Sequence, residues 1–118
     1  MNFIRSAAYL LVLAVITPII AFAMAVVMPF TQRSVPYALA KLWTQLAIFF
    51  LRVICGIKHE IRGAENLPST PAIVMAKHQS AWETVFFVTY FPEQTWVVKQ
   101  ELLNVPFFGW GLAMLKPV

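Results

Sequence analysis

A chain of 118 residues that is 60% hydrophobic and 12% charged, with a net charge of +4, holds one domain at most and is far too apolar for an ordinary soluble domain. Its basic residues are scattered singly from Arg5 to Lys116 instead of lining one stripe. That suits an anionic bilayer surface or an anionic substrate and argues against nucleic acid as a partner.

Absences narrow the chemistry further. There is no Asp, one Cys at position 55, and two His at 59 and 78 without H-E-x-x-H spacing. The residues therefore offer no Asp-containing triad, no internal disulfide and no metal site. Gly109-Trp-Gly111 is too sparse in glycine to cradle a nucleotide.

Residues 6–32 carry no charge over 27 positions, enough at about 1.5 Å per residue to cross a hydrocarbon core of roughly 30 Å. A cleaved signal peptide is the competing reading, because Arg5 gives a positive start and the Ala-Phe-Ala of 21–23 resembles a cleavage site. The apolar run continues to Phe30, longer than a signal core, which favours an anchor. Pro18 and Pro29 are expected to kink or end this helix. In residues 37–54, Lys41, Thr44, Gln45 and Arg52 fall on one stripe at 100° per residue. Such a helix lies in or dips into the interface with Lys and Arg snorkelling to headgroups, a full second span being the alternative. Residues 1–55 thus form a membrane-anchoring unit.

At Gly56 the character changes. Residues 57–62 alternate apolar and polar with His59 on the apolar side, which predicts a half-buried strand and a structural histidine. Residues 63–71 are turn chemistry throughout. The apolar run 72–76 predicts a buried strand leading into His78, a helix follows until Pro92 stops it, and 95–98 predicts another buried strand ending at Lys99. Strand, helix, strand predicts an α/β domain over 56–118 with a largely parallel sheet. His78 and Lys99 would emerge at the carboxyl ends of its strands, where sites gather. Lys99 then either binds an anionic headgroup or is a solvated strand end. The aromatic stretch 99–115 reads as an apolar channel wall or as core.

The chemistry concentrates in KHQSAWETVFF, residues 77–87. An imidazole can take a proton from a hydroxyl when a carboxylate holds its other nitrogen. Glu83 is the candidate holder of His78. Five positions apart on one helix the two would sit about 140° from each other. If the helix begins at Ser80, however, His78 lies outside it and Glu83 in the first turn can reach it. Ser80-Ala-Trp-Glu83 is equally a capping box, in which Glu83 serves only the helix start.

The block KHQSAWET at 77–84 followed by KQELLNVPFFGWGLAML at 99–115 resembles the lysophosphatidic acid acyltransferase family. The first block is similar to the family's H-x-x-x-x-D motif with its following Gln-Ser. The second is similar to its Lys-x-Glu-Leu and Pro-x-Phe-Gly-Trp segment.

The resemblance covers roughly 57–118. It implies acyl transfer from an acyl carrier protein or acyl-CoA thioester to the free hydroxyl of lysophosphatidic acid, giving phosphatidic acid, with the membrane bilayer as the other partner. In that scheme His78 is the general base and Glu83 orients it. Gln79, Ser80, Lys99, Phe108 and Gly109 bind substrate, and neither a metal nor a cofactor beyond the thioester co-substrate takes part. The location implied is a bacterial inner membrane with the site at the cytoplasmic interface.

Two departures stand out. The family's acid is usually Asp where this chain has Glu83, and the later Phe-Ile-x-Arg and Glu-Gly-Thr-Arg blocks are not among these residues. A longer protein is therefore expected. The same chemistry on another glycerolipid or lysophospholipid acceptor is the nearest alternative, and a non-catalytic membrane anchor is the reading from a different class.

Overall fold

The computed structural model describes the backbone of residues 2–32, 34–77 and 79–118. Helix α1 (Asn2–Val27) runs through Pro18, and Pro29 sits in the single 3-10 turn Met28–Phe30 that ends it. Helix α2 (Ser34–Phe50) continues into a π-helical turn, Leu51–Cys55. Gly56 stops that turn at φ 72, with its amide donating to the Arg52 carbonyl. A left-handed residue after the last turn favours glycine, because a Cβ is crowded there.

Three contacts set the packing of the first two helices. The Cys55 thiol lies 3.8 Å from the Arg5 carbonyl, Trp43 Nε1 donates to Thr17 Oγ1 at 3.0 Å, and Met24 packs with Tyr37 in the core. Residue numbers rise along one helix as they fall along the other, so α1 and α2 are an antiparallel hairpin. Both helices are long and apolar enough to cross a membrane. The outer face of α1 keeps Phe3, Leu10, Leu11 and Phe22 more than half exposed. A long helix whose large apolar side chains point away from the protein interior needs a lipid neighbour to cover them, so the chain associates with a membrane.

Helix α3 (Ala81–Tyr90) lies antiparallel against α2. Thr89 Oγ1 donates to Thr44 Oγ1 at 2.9 Å, and the Tyr37 hydroxyl donates to the Pro92 carbonyl at 3.2 Å. The amino-terminal end of α3 is therefore brought beside the Arg5 and Cys55 end of the hairpin. Helix α4 (Phe108–Met114) closes the bundle against α1. The core where they meet is Met24, Tyr37, Val88 and Leu115. Thr44 is 3% exposed, so its hydroxyl must be paired inside the protein. Thr44→Val keeps the shape but takes the nearer acceptor from the Thr89 hydroxyl, leaving it the Val85 carbonyl at 3.4 Å; a loss of about 0.5–1.5 kcal/mol is expected, read as a lower thermal midpoint of the detergent-solubilised protein.

The parallel sheet expected over 56–118 is absent: among the described residues there are helices and turns but no strand. Residues 57–62, 72–76 and 95–98 run without regular structure. The alternation in these segments is real, but a strand exists only when a neighbouring chain pairs its amides and carbonyls. Here Ile73, Met75 and Val97 are 92%, 94% and 88% exposed, so the apolar faces find no sheet to join. The 95–98 segment makes a pair of bonds with Val118, Val98 N to its carbonyl at 3.2 Å and its amide to the Trp96 carbonyl at 2.7 Å. His59 was expected on the covered side of a strand; it lies exposed, its ring against Phe86 and Trp82 at 5.1 and 5.4 Å.

Candidate functional site

Ser80 is in extended conformation and Ala81 opens α3, so the start of this helix falls where the Ser-x-x-Glu pattern places it. The Ser80 side chain accepts from the Trp82 amide at 3.2 Å, and Glu83 Oε2 accepts from both the Ser80 amide and the Ser80 hydroxyl at 2.8 Å. These are the reciprocal bonds of a capping box, which satisfy amides the first helical turn leaves open. Both bonds from Ser80 fall on Oε2, and a carboxylate has a second oxygen. His78 lies outside the described residues, and its place relative to Glu83 is not part of this geometry.

The bond from the Ser80 hydroxyl, helped by the backbone amides around it and opposed by partial desolvation, holds the Glu83 carboxyl below its usual value of 4.5. Glu83 is thus charged at neutral pH. A depressed folded-state value means that the stability it contributes is present above the unfolded value and is lost as pH falls through the folded one. The thermal midpoint of the native protein should therefore fall between pH 5 and pH 3 by more than that of Glu83→Gln, which still caps but does not titrate. Equal acid sensitivity of the two proteins would contradict this electrostatic role.

Beyond Glu83, α3 divides into two faces. Trp82, Phe86 and Tyr90 stack at four-residue spacing, with ring centres 4.7 and 5.3 Å apart. Thr84, Val85 and Val88 face the other way and line a cavity of about 130 Å³ between the hairpin, α3 and α4. Met24, Trp43 and Thr44 wall it from the membrane helices.

Phe108 belongs to this wall, its ring tilted against Trp43 at 5.8 Å. It is aimed there by an unusual corner. Phe107 has φ 61 and ψ −55, and the Phe108 amide donates to the Pro106 carbonyl across it at 2.7 Å. This is a γ-turn of the strained kind, uncommon for a residue with a Cβ.

The remaining sequence candidates separate. Gly109 is buried against the 3-10 turn Gln100–Asn104; a Cβ there would overlap the Leu102 carbonyl oxygen and lie 2.5 Å from that of Leu103. Its position is one of close backbone approach. Lys99 is exposed just before that turn, its carbonyl accepting from the Leu102 amide at 3.0 Å. With no strand over 95–98, it does not stand at the end of a sheet; the expected partner, His78, lies outside the described residues. Gln79 is exposed beside the cap. The cavity was not foreseen as a unit. Val85 and Val88 lie in the segment expected to be helical, but Trp43 and Trp96 come to it from segments 53 residues apart.

A family model described as Acyltransferase matches residues 58–118. Among curated proteins, the 1-acyl-sn-glycerol-3-phosphate acyltransferase of Pseudomonas aeruginosa is 44% identical over 99 residues, 84% of this chain and 38% of that protein. The chloroplastic 1-acyl-sn-glycerol-3-phosphate acyltransferase of Arabidopsis thaliana is 29% identical over 90 residues, 74% of this chain and 24% of that protein. That of Saccharomyces cerevisiae is 32% identical over 75 residues, 61% of this chain and 25% of that protein. The chain spans less than two fifths of the length of these relatives. No solved structure matches it.

Proposed function

Because the chain belongs to the acyltransferase family, we propose that this protein moves a fatty acyl group from a thioester to the free hydroxyl of 1-acyl-glycerol-3-phosphate, making phosphatidic acid. The observation that carries this reading is the 44% identity to a relative named for that activity. The residues 58–118 matched by the family model include both KHQSAWET and the aromatic block that walls the cavity.

In the proposed mechanism His78 takes the proton from the acceptor hydroxyl as that oxygen attacks the thioester carbonyl, and the thiolate leaves. Glu83, charged at neutral pH, orients the imidazole and balances the imidazolium. Its Oε2 holds the start of α3 while the second oxygen serves His78. Ser80 is engaged in the cap, which makes it a poorer nucleophile than the acceptor hydroxyl, and the transfer is direct, without an acyl-enzyme. Gln79 and Lys99, both exposed, are the candidates for contact with the phosphate end of the acceptor. The acyl donor is acyl-CoA or acyl carrier protein, with no further cofactor.

The proposed setting is the cytoplasmic interface of a bacterial inner membrane. Acceptor and product both remain in the bilayer, so a site carried beside membrane helices spares the transfer of an acyl chain into water.

The test is thioester consumption by the full-length protein in vesicles, with and without 1-acyl-glycerol-3-phosphate. Acceptor-dependent release of thiol is the expected result. Turnover only with other glycerolipid acceptors would move the reading to those substrates, and no turnover with any acceptor or either thioester would overturn it.

A further inference from the structure

Residues 102–115 hold no charged side chain, and Asn104 is the only polar one besides the Trp110 indole. Within this stretch Leu102, Val105, Phe107 and Trp110 are each more than two fifths exposed. Backbone bonds gather them at one corner: the Val105 amide donates to the Leu102 carbonyl at 3.3 Å, and the Gly109 amide to the Val105 carbonyl at 2.8 Å. The γ-turn leaves the Phe107 ring at the surface, edge-on to Trp110 with ring centres 5.3 Å apart. Single exposed apolar residues are ordinary on a water-facing surface. A contiguous group of large ones marks a contact with a partner or a membrane.

Two observations identify the partner as lipid. The first is continuity with α1. A Cβ on Gly111 would stand 3.9 Å from Met24 Sδ, and Leu115 joins Met24 in the core, so α4 lies along the last turns of α1. On those turns Ile19, Phe22 and Val26 are exposed, and the face of α1 that needs lipid borders the corner that α4 carries. The second is the placement of charge. Lys99 and Glu101 precede the uncharged stretch and Lys116 follows it, all exposed. An apolar segment with a surface tryptophan and lysines at its ends suits the bilayer interface. There an indole sits between acyl chains and headgroups, and lysines reach back to water.

We propose that the corner formed by Leu102, Val105, Phe107 and Trp110 is a second membrane contact of this protein, docking on the bilayer beside the α1–α2 hairpin with the Trp110 ring among the lipids. Leu102 and Phe107 are the exposed members of the cavity lining, so the mouth of the cavity lies in this corner and faces lipid. The assignment rests on exposure and packing and is independent of the acyltransferase reading.

The test is tryptophan fluorescence of the full-length protein in phosphatidylcholine vesicles, either plain or brominated along the acyl chains, with iodide as the quencher in water. Trp110→Phe keeps an aromatic ring at the corner, and the emission it lacks relative to the native protein is that of Trp110. Trp110→Tyr, excited in the tryptophan band, gives the same difference if the phenylalanine variant does not fold. The Trp110 emission should be mostly lost in brominated vesicles and little changed by iodide. Loss to iodide with none to bromine would place Trp110 in water, and insensitivity to both would place it under another part of the protein. Either result overturns the lipid contact.

Discussion

Replacement of His78 by alanine in the full-length protein is expected to lower acceptor-dependent turnover by roughly a hundred- to ten-thousand-fold, the usual contribution of a positioned general base. The protein should still insert into membranes, because α1 and α2 are made entirely of residues 2–55. Glu83 divides the outcome more finely. As a cap alone, Glu83→Gln would cost little, since glutamine also accepts at this position of a capping box. As the anionic partner of His78, the same change should reduce kcat strongly while leaving KM near native. Glu83→Asp restores the charge with a shorter reach, so it should recover much of the rate while weakening the bonds to Ser80. A Glu83→Gln enzyme with native kcat would leave Glu83 as a cap, and a His78→Ala enzyme with native turnover would remove the base from the mechanism.

The second large effect is structural. Gly109→Ala is expected to destabilise the protein by about 1–3 kcal/mol, the range for forcing extra volume into packed surroundings. The new Cβ would meet carbonyl oxygens of Leu102 and Leu103, which are backbone atoms and cannot rotate aside as a side chain would. Gly111→Ala is the matched control. Two positions on along the same helix, its added Cβ would find only Met24 Sδ at 3.9 Å, an ordinary contact with a flexible side chain. Thermal unfolding of the two variants in one detergent should separate them clearly; similar midpoints would mean that the Gln100–Asn104 turn yields.

The features legible in the sequence were those that depend on neighbours along the chain. The charge-free run of 6–32, the Ser80 and Glu83 capping box and the stop at Pro92 are each a local matter, and each has its counterpart in a helix or helix end. The sheet was not of this kind. The apolar runs 72–76 and 95–98 show what a strand would need to bury, but nothing in them says whether a partner is at hand, and Ile73 and Met75 stand exposed. The cavity was hidden for the same reason. Trp96 looked like one more apolar residue of a strand, and only the fold brings it to the space that Trp43 and Met24 line.

The antiparallel hairpin has a consequence for how the protein sits in the membrane. Because Arg5 and Cys55 meet at one end, the other end of the hairpin is the short connection between α1 and α2, which begins with the apolar Met28-Pro29-Phe30 and goes on through Thr31, Gln32 and Arg33. The same pairing ties sidedness to the start of the chain: the face of the membrane that keeps Arg5 also receives the beginning of α3.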